Sequence, residues 1–70
     1  MLINEKLKFL RKKRGLTQAE LAKLTNVSQQ TIWVYEAGKQ KPTTNTLIQL
    51  AKVLGVKADD LLNDERSVTE

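Results

Sequence analysis

The chain has 70 residues, with 12 Lys or Arg, 8 Asp or Glu, no Cys and no His. This length allows a single small domain, and the composition excludes disulfide bonds and Cys/His zinc sites. No apolar run is long enough for a membrane span or a signal peptide, so we expect a cytoplasmic protein without a membrane partner, and no metal or other cofactor is expected.

Positive charge is concentrated in the first part of the chain. Residues 1–41 contain nine basic and three acidic side chains, whereas residues 42–70 contain three basic and five acidic ones. Such an asymmetry is typical of a surface that meets a polyanion such as nucleic acid. It is equally typical of a charged surface that only keeps a protein in solution, so charge alone does not decide between the two.

Apolar periodicity and capping residues predict an all-α fold, a compact five-helix bundle, with no strand pattern. The first helix is expected over residues 4–14, with Arg11 at the border of its apolar stripe and Gly15 as the left-handed residue that ends it. Ile3, Leu7, Leu10 and Arg14 lie on one stripe of this helix. The charged side chains of Lys12, Lys13 and Arg14 are interpreted as a solvated basic face rather than as specific DNA contacts.

The second and third predicted helices are joined by a short turn. Thr17 and Glu20 have the spacing of a capping box, and Ser28 is a good N-cap for the third helix, which ends at Gly38. Thr25 and Asn26 break the apolar pattern, and Asn26 is expected to take the positive φ that the turn needs.

A basic loop over residues 39–42 precedes the fourth helix, which Thr43 or Thr44 caps and Gly55 ends. A short fifth helix over 58–62 is expected to place Leu61 and Leu62 on the core. We therefore predict a domain over residues 1–62 and a polar, flexible tail over residues 63–70.

Residues 18–37 carry the functional signal, because two short helices joined by a turn, with the small Ala22 where they touch, form a helix-turn-helix. Its second helix is anchored through Val27, Ile32 and Tyr35. The side chains left outside are Gln29, Gln30, Trp33 and Val34. A glutamine amide donates and accepts at once, which matches adenine in the major groove, and a valine can contact a thymine methyl.

The runs GLTQAELAKL, VSQQTI, E-x-G-K, KP, LIQLAKVLGV and DDLL follow one another in this order. In sequence and spacing they resemble the lambdoid phage repressor and Cro family from about Leu7 to Leu62. The resemblance implies a lambda repressor-like DNA-binding domain in a sequence-specific transcriptional regulator, most simply a repressor. It also implies a homodimer on a palindromic operator in double-stranded DNA.

The resemblance assigns roles to individual residues. Gln18 matches a phosphate contact, Gln29 and Gln30 match base-reading positions, and Val34 matches a further groove-facing position. The remaining residues expected at the DNA are Ser28, Trp33, Lys39, Lys41 and Thr43. Arg11 and Glu36 match a partly buried ion pair between the first and third helices.

Four positions depart from the family pattern, and one of them is Val34, which is apolar where the family often has a polar or basic residue. Asn26 replaces a turn glycine, and Lys57 replaces the usual Ser or Thr cap of the fifth helix. Trp33 stands where small or polar residues are common, and two alternatives stay open for it. Its indole N–H donates to a DNA phosphate, or its ring packs at the edge of the core.

The sequence bears on two rival functions. Leu2 and Phe9 fall together on another side of the first helix. This apolar pair and the acidic tail are the features that support an antitoxin or another protein-interaction module. An enzyme is not expected, because the carboxylates are scattered and there is no His or Cys nucleophile or base. A chain of this length also has no room for a separate domain that binds a small molecule.

Overall fold

The computed structural model describes residues 2–61, which fold into helices without a strand in that range. Helix α1 spans Ile3–Lys13, α2 Gln18–Thr25, α3 Gln29–Glu36 and α4 Thr44–Leu54. Residues 58–61 are also helical and form the fifth helical segment. The predicted all-α class and order of elements are confirmed. Among the helices formed by residues 2–61, none is long and apolar enough to cross a membrane.

The capping residues predicted for α2, α3 and α4 act as expected. The Thr17 hydroxyl accepts from the Glu20 backbone N–H at 3.0 Å, and the Glu20 carboxylate accepts from the Thr17 N–H at 2.8 Å. Ser28 caps α3 in the same way, and Thr43 rather than Thr44 caps α4. Each cap satisfies an N–H that has no partner within its helix, which sets where the helix begins.

The turn between α2 and α3 begins one residue later than predicted. Thr25 is the last residue of α2, is buried, and donates its hydroxyl to the Leu21 carbonyl at 2.7 Å. This bond lets a polar side chain continue the helix without leaving a buried hydroxyl unsatisfied. Asn26 follows with φ 61°, the left-handed conformation predicted for it.

The core is built from all the helices. Fully buried side chains come from α1 to α4 and from the fifth segment: Leu7, Leu21, Ile32, Leu50, Leu54 and Leu61. Val27 packs against this cluster and Tyr35 belongs to it. Burial of one such leucine contributes about 2 kcal/mol. Leu24, by contrast, is 57% exposed and lies outside the core.

Helix α1 contributes one buried and one exposed arginine. Arg11, expected at the border of the apolar stripe, is buried, whereas Arg14 is exposed, as expected of the basic face. The burial of Arg11 is possible because Glu36 neutralises its charge. Arg14 instead reaches across the surface, where its Nε donates to the carbonyl of Leu54 at 3.0 Å, near the end of α4.

The start of the fifth helical segment is held despite its lysine. The Lys57 backbone N–H donates to the Asp60 carboxylate at 3.3 Å, which is one half of a capping box. Lys6 on α1 donates to the Asp60 carbonyl at 2.6 Å. Leu61 is buried as predicted, whereas Leu62 and the tail over residues 63–70 lie outside the described residues.

Candidate nucleic-acid interface

The first turn of α3 presents two glutamines to the outside. Gln29 and Gln30 follow the Ser28 cap and are exposed. Neither side chain forms a hydrogen bond within residues 2–61, so both amides keep their donors and their acceptor for a partner. Their backbone is fixed by the cap, while Ile32 and Tyr35 bury the opposite side of α3.

Trp33 and Val34 differ in how far they reach from α3. Trp33 is 45% exposed, and the Nζ of Lys39 lies 5.4 Å from the centre of its ring. Val34 is half-buried rather than fully outside. Part of its side chain stays accessible.

Gln18 begins α2 at the edge of a buried ion pair. The Nε of Arg11 lies 2.7 Å from Oε2 of Glu36, and its Nη2 donates to Oε1 at 3.1 Å. The Nη1 donates to the Leu16 carbonyl at 2.8 Å. Gln18 donates its Nε2 to the same Oε1 of Glu36 at 3.1 Å. The ion pair expected between helices α1 and α3 is therefore present and extends to α2.

The orientation of the Gln18 amide follows from this bond. A carboxylate only accepts hydrogen bonds, so the NH₂ group of Gln18 must face Glu36 and its carbonyl oxygen must point elsewhere. One N–H of the amide is used within the protein, and one remains for a further acceptor such as a phosphate.

The loop after α3 carries the expected cations. Lys39 and Lys41 are both exposed, and so is Thr43. The Thr43 hydroxyl, however, accepts from the Thr46 N–H and donates to the Thr46 hydroxyl at 3.1 Å. The Ser28 hydroxyl is likewise bonded to Thr31. Both hydroxyls are therefore already hydrogen-bonded as helix caps.

Two adjoining clefts bring these residues together. The larger, of about 370 Å³, is lined by Gln18, Gln29, Gln30 and Trp33. The smaller, of about 200 Å³, is lined by Lys8, Gln18, Trp33, Glu36 and Ala37. The sequence pattern does not point to Lys8, because only the packing of α1 against α3 places it in the same cleft as the indole. Gln18 and Trp33 border both clefts.

The helix-turn-helix family model matches residues 7–61. The chain belongs to this family. An uncharacterized HTH-type transcriptional regulator of Methanocaldococcus jannaschii is 42% identical over 59 residues, which cover 84% of this chain and 89% of that protein. The HTH-type transcriptional activator BcrR of Enterococcus faecalis is 39% identical over 69 residues. This match covers 99% of the chain but only 34% of the length of the activator.

A solved structure shares the arrangement of helices. It is the c2 repressor protein of P22 in complex with a synthetic operator, with a TM-score of 0.84 and 33% sequence identity. The match covers 87% of this chain and 92% of the repressor chain. The predicted relationship to repressors of this class is thereby confirmed.

Proposed function

We propose that this protein is a sequence-specific DNA-binding regulator of transcription that acts as a repressor, with α3 in the major groove. The observation that carries the proposal is the pair of exposed amides of Gln29 and Gln30 on a face of α3 without a charged side chain. Side chains that both donate and accept suit base edges, whereas a charged face would favour phosphates irrespective of sequence.

The residues that flank α3 support contacts with the DNA backbone on either side of this helix. Gln18 keeps one N–H beside the start of α2, and Lys39 and Lys41 follow the end of α3. We assign these three side chains to DNA phosphates. Ser28 and Thr43 are assigned to the same interface because they cap helix N-termini, which attract phosphates. Val34 is assigned to an apolar contact with a thymine methyl.

The assembly and the sign of regulation are part of the proposal. One domain of this size offers few base contacts, so a homodimer on a palindromic operator doubles them across two half-sites. The operator-bound repressor of P22 supports repression, although one relative is named as an activator. The names of the relatives favour regulation over the antitoxin alternative. We further propose a cytoplasmic protein without enzymatic activity or a small-molecule effector.

Selection of bound sequences from a random double-stranded DNA pool tests the proposal directly. We expect one enriched site with two-fold symmetry. The double variant Gln29→Ala, Gln30→Ala should then lose discrimination between this site and random DNA. Each lost bidentate contact corresponds to about 1–3 kcal/mol of discrimination.

Gln49→Ala is the matched control, because Gln49 is an exposed glutamine on α4 rather than α3. It should bind the selected site like the parent. Circular dichroism should show that all variants remain helical. The assignment of α3 as the reading element is wrong if the double variant keeps the parent's preference for the selected site.

A further inference from the structure

Trp33 is the one tryptophan of the chain, and it stands on the outer side of α3 with 45% of its surface exposed. A large apolar ring in this position is unusual for a surface that only faces water. The Lys39 ammonium lies 5.4 Å from the ring centre, within the range of a cation–π interaction. The ring therefore has a specific partner from the following loop.

The backbone of Lys39 is also fixed relative to α3. Its N–H donates to the Val34 carbonyl at 3.1 Å, and the preceding Gly38 donates to the Tyr35 carbonyl at 3.1 Å. Gly38 has φ +75°, which turns the chain back along the end of the helix. The backbone of Lys39 is consequently held by a hydrogen bond, and its ammonium is held by the indole.

This arrangement has a consequence for DNA binding. An exposed lysine ordinarily samples many rotamers, and ordering it against a phosphate costs conformational entropy. The indole restricts Lys39 before DNA arrives, and the same indole lines the cleft formed with Gln18, Gln29 and Gln30. An ammonium held against this ring stays close to α3, where a DNA strand in contact with α3 would bring its phosphates.

We propose that Trp33 is a positioning residue that holds the Lys39 ammonium beside α3 for contact with a DNA phosphate. This inference rests on the proposed function and replaces direct donation by the indole N–H. Because a phosphate contact carries no base information, Trp33 strengthens binding to all sequences and leaves discrimination unchanged.

A double-mutant cycle on the selected operator tests this role. The variants are Trp33→Leu, Lys39→Met and their combination, measured over a range of salt concentrations. We expect Trp33→Leu to weaken binding on the order of two- to fivefold on operator and random DNA alike. In the Lys39→Met background the same substitution should have no further effect. The conservative variants Trp33→Phe and Lys39→Arg should retain most of the affinity.

The fluorescence of the single tryptophan supplies a readout that does not need DNA. Lys39→Met should change the emission of the unbound protein, whereas Lys52→Met, which removes the same charge from the exposed side of α4, should not. Thermal melting establishes that each variant is folded. An unchanged emission in Lys39→Met contradicts the contact, and therefore the proposal.

The binding outcomes separate this inference from the proposed function. If the Trp33 and Lys39 effects are additive, the indole contacts DNA independently and the positioning role is wrong, while regulation by DNA binding stands. If Trp33→Leu binds like the parent, the positioning role is equally wrong. If the parent enriches no sequence at all, the proposed function fails and this inference fails with it.

Discussion

The side-chain amide of Gln18 donates from Nε2 to Oε1 of Glu36 at 3.1 Å, and Arg11 donates to the same oxygen. A buried ion pair between α1 and α3 is thus connected to the first residue of α2. The three helices that frame the proposed DNA surface meet at one carboxylate. Loss of the Glu36 carboxylate should therefore destabilise the fold, and a second carboxylate at Gln18 should destabilise it in a way that depends on pH.

Glu36→Ala should lower the free energy of unfolding by about 3 kcal/mol, because it leaves the Arg11 guanidinium buried without its partner. In a domain of this size such a loss lowers the melting temperature by roughly 10 °C or more. DNA binding should weaken only through the loss of folded protein and of Gln18 orientation. Thermal melting measures the effect, with Asp59→Ala as a control at an exposed carboxylate. A parent-like melting curve would show that the pair contributes nothing to stability.

Gln18→Glu introduces a carboxylate next to Glu36. Repulsion between the two should raise the pKa of the introduced group in the folded state above the value of about 4.3 found in unfolded chains. Because the pKa is raised, the loss of unfolding free energy is complete at neutral pH, where the group is charged in both states. The loss disappears as the pH falls below the pKa of the group in the unfolded chain. We expect a loss of about 1–2 kcal/mol at pH 7 that shrinks toward pH 4.

Denaturant unfolding of Gln18→Glu and of the parent between pH 4 and 7 measures this dependence. Gln49→Glu places the same charge on the exposed side of α4 and should show no comparable trend. A penalty that does not depend on pH would mean that the amide of Gln18 is not held against Glu36.

Gly55→Ala should destabilise the protein more than Gly15→Ala. Both glycines have positive φ, +75° and +72°, so both substitutions carry the strain of a left-handed alanine, about 1 kcal/mol. A Cβ at Gly55 would in addition overlap the Arg14 guanidinium, whereas a Cβ at Gly15 meets nothing within 4 Å. The difference between the two measures the bond from Arg14 to the Leu54 carbonyl.

Chemical denaturation of both glycine variants, alone and combined with Arg14→Met, provides the comparison. In the Arg14→Met background the two alanine substitutions should become equal in cost. Equal costs in the parent background would indicate that Arg14 moves aside freely.

Lys41→Ala should weaken binding to operator and random DNA by the same factor and reduce the slope of log affinity against log salt by about 1. The reason is that an exposed loop lysine assigned to a phosphate releases one counterion on binding. Titrations at several salt concentrations measure the slope, and Lys52→Ala controls for net charge. A change confined to the operator would instead assign Lys41 to a base edge.

The sequence by itself determined the caps that start α2, α3 and α4 and the left-handed residues that follow α2 and α4. The capping side chains accept from backbone N–H groups three residues away, as at Thr17, Ser28 and Thr43. The left-handed conformation of Asn26 and Gly55 is likewise set by short-range sterics. These interactions are complete within a few residues, so a local pattern contains all the information that they need. The same holds for the exposed glutamines, because a cap and the buried side of α3 fix their direction.

Only the tertiary structure decided which distant side chains meet. The family resemblance implies the pair of Arg11 and Glu36, 25 residues apart, but only the packing of the helices shows that Gln18 joins it. Trp33 stands over Lys39 because the turn at Gly38 returns the chain to the ring. Helical periodicity gives the face of each residue but not the rotation of one helix against another. Packing of the whole core sets that rotation, and with it the partners of Gln18, Trp33 and Arg14.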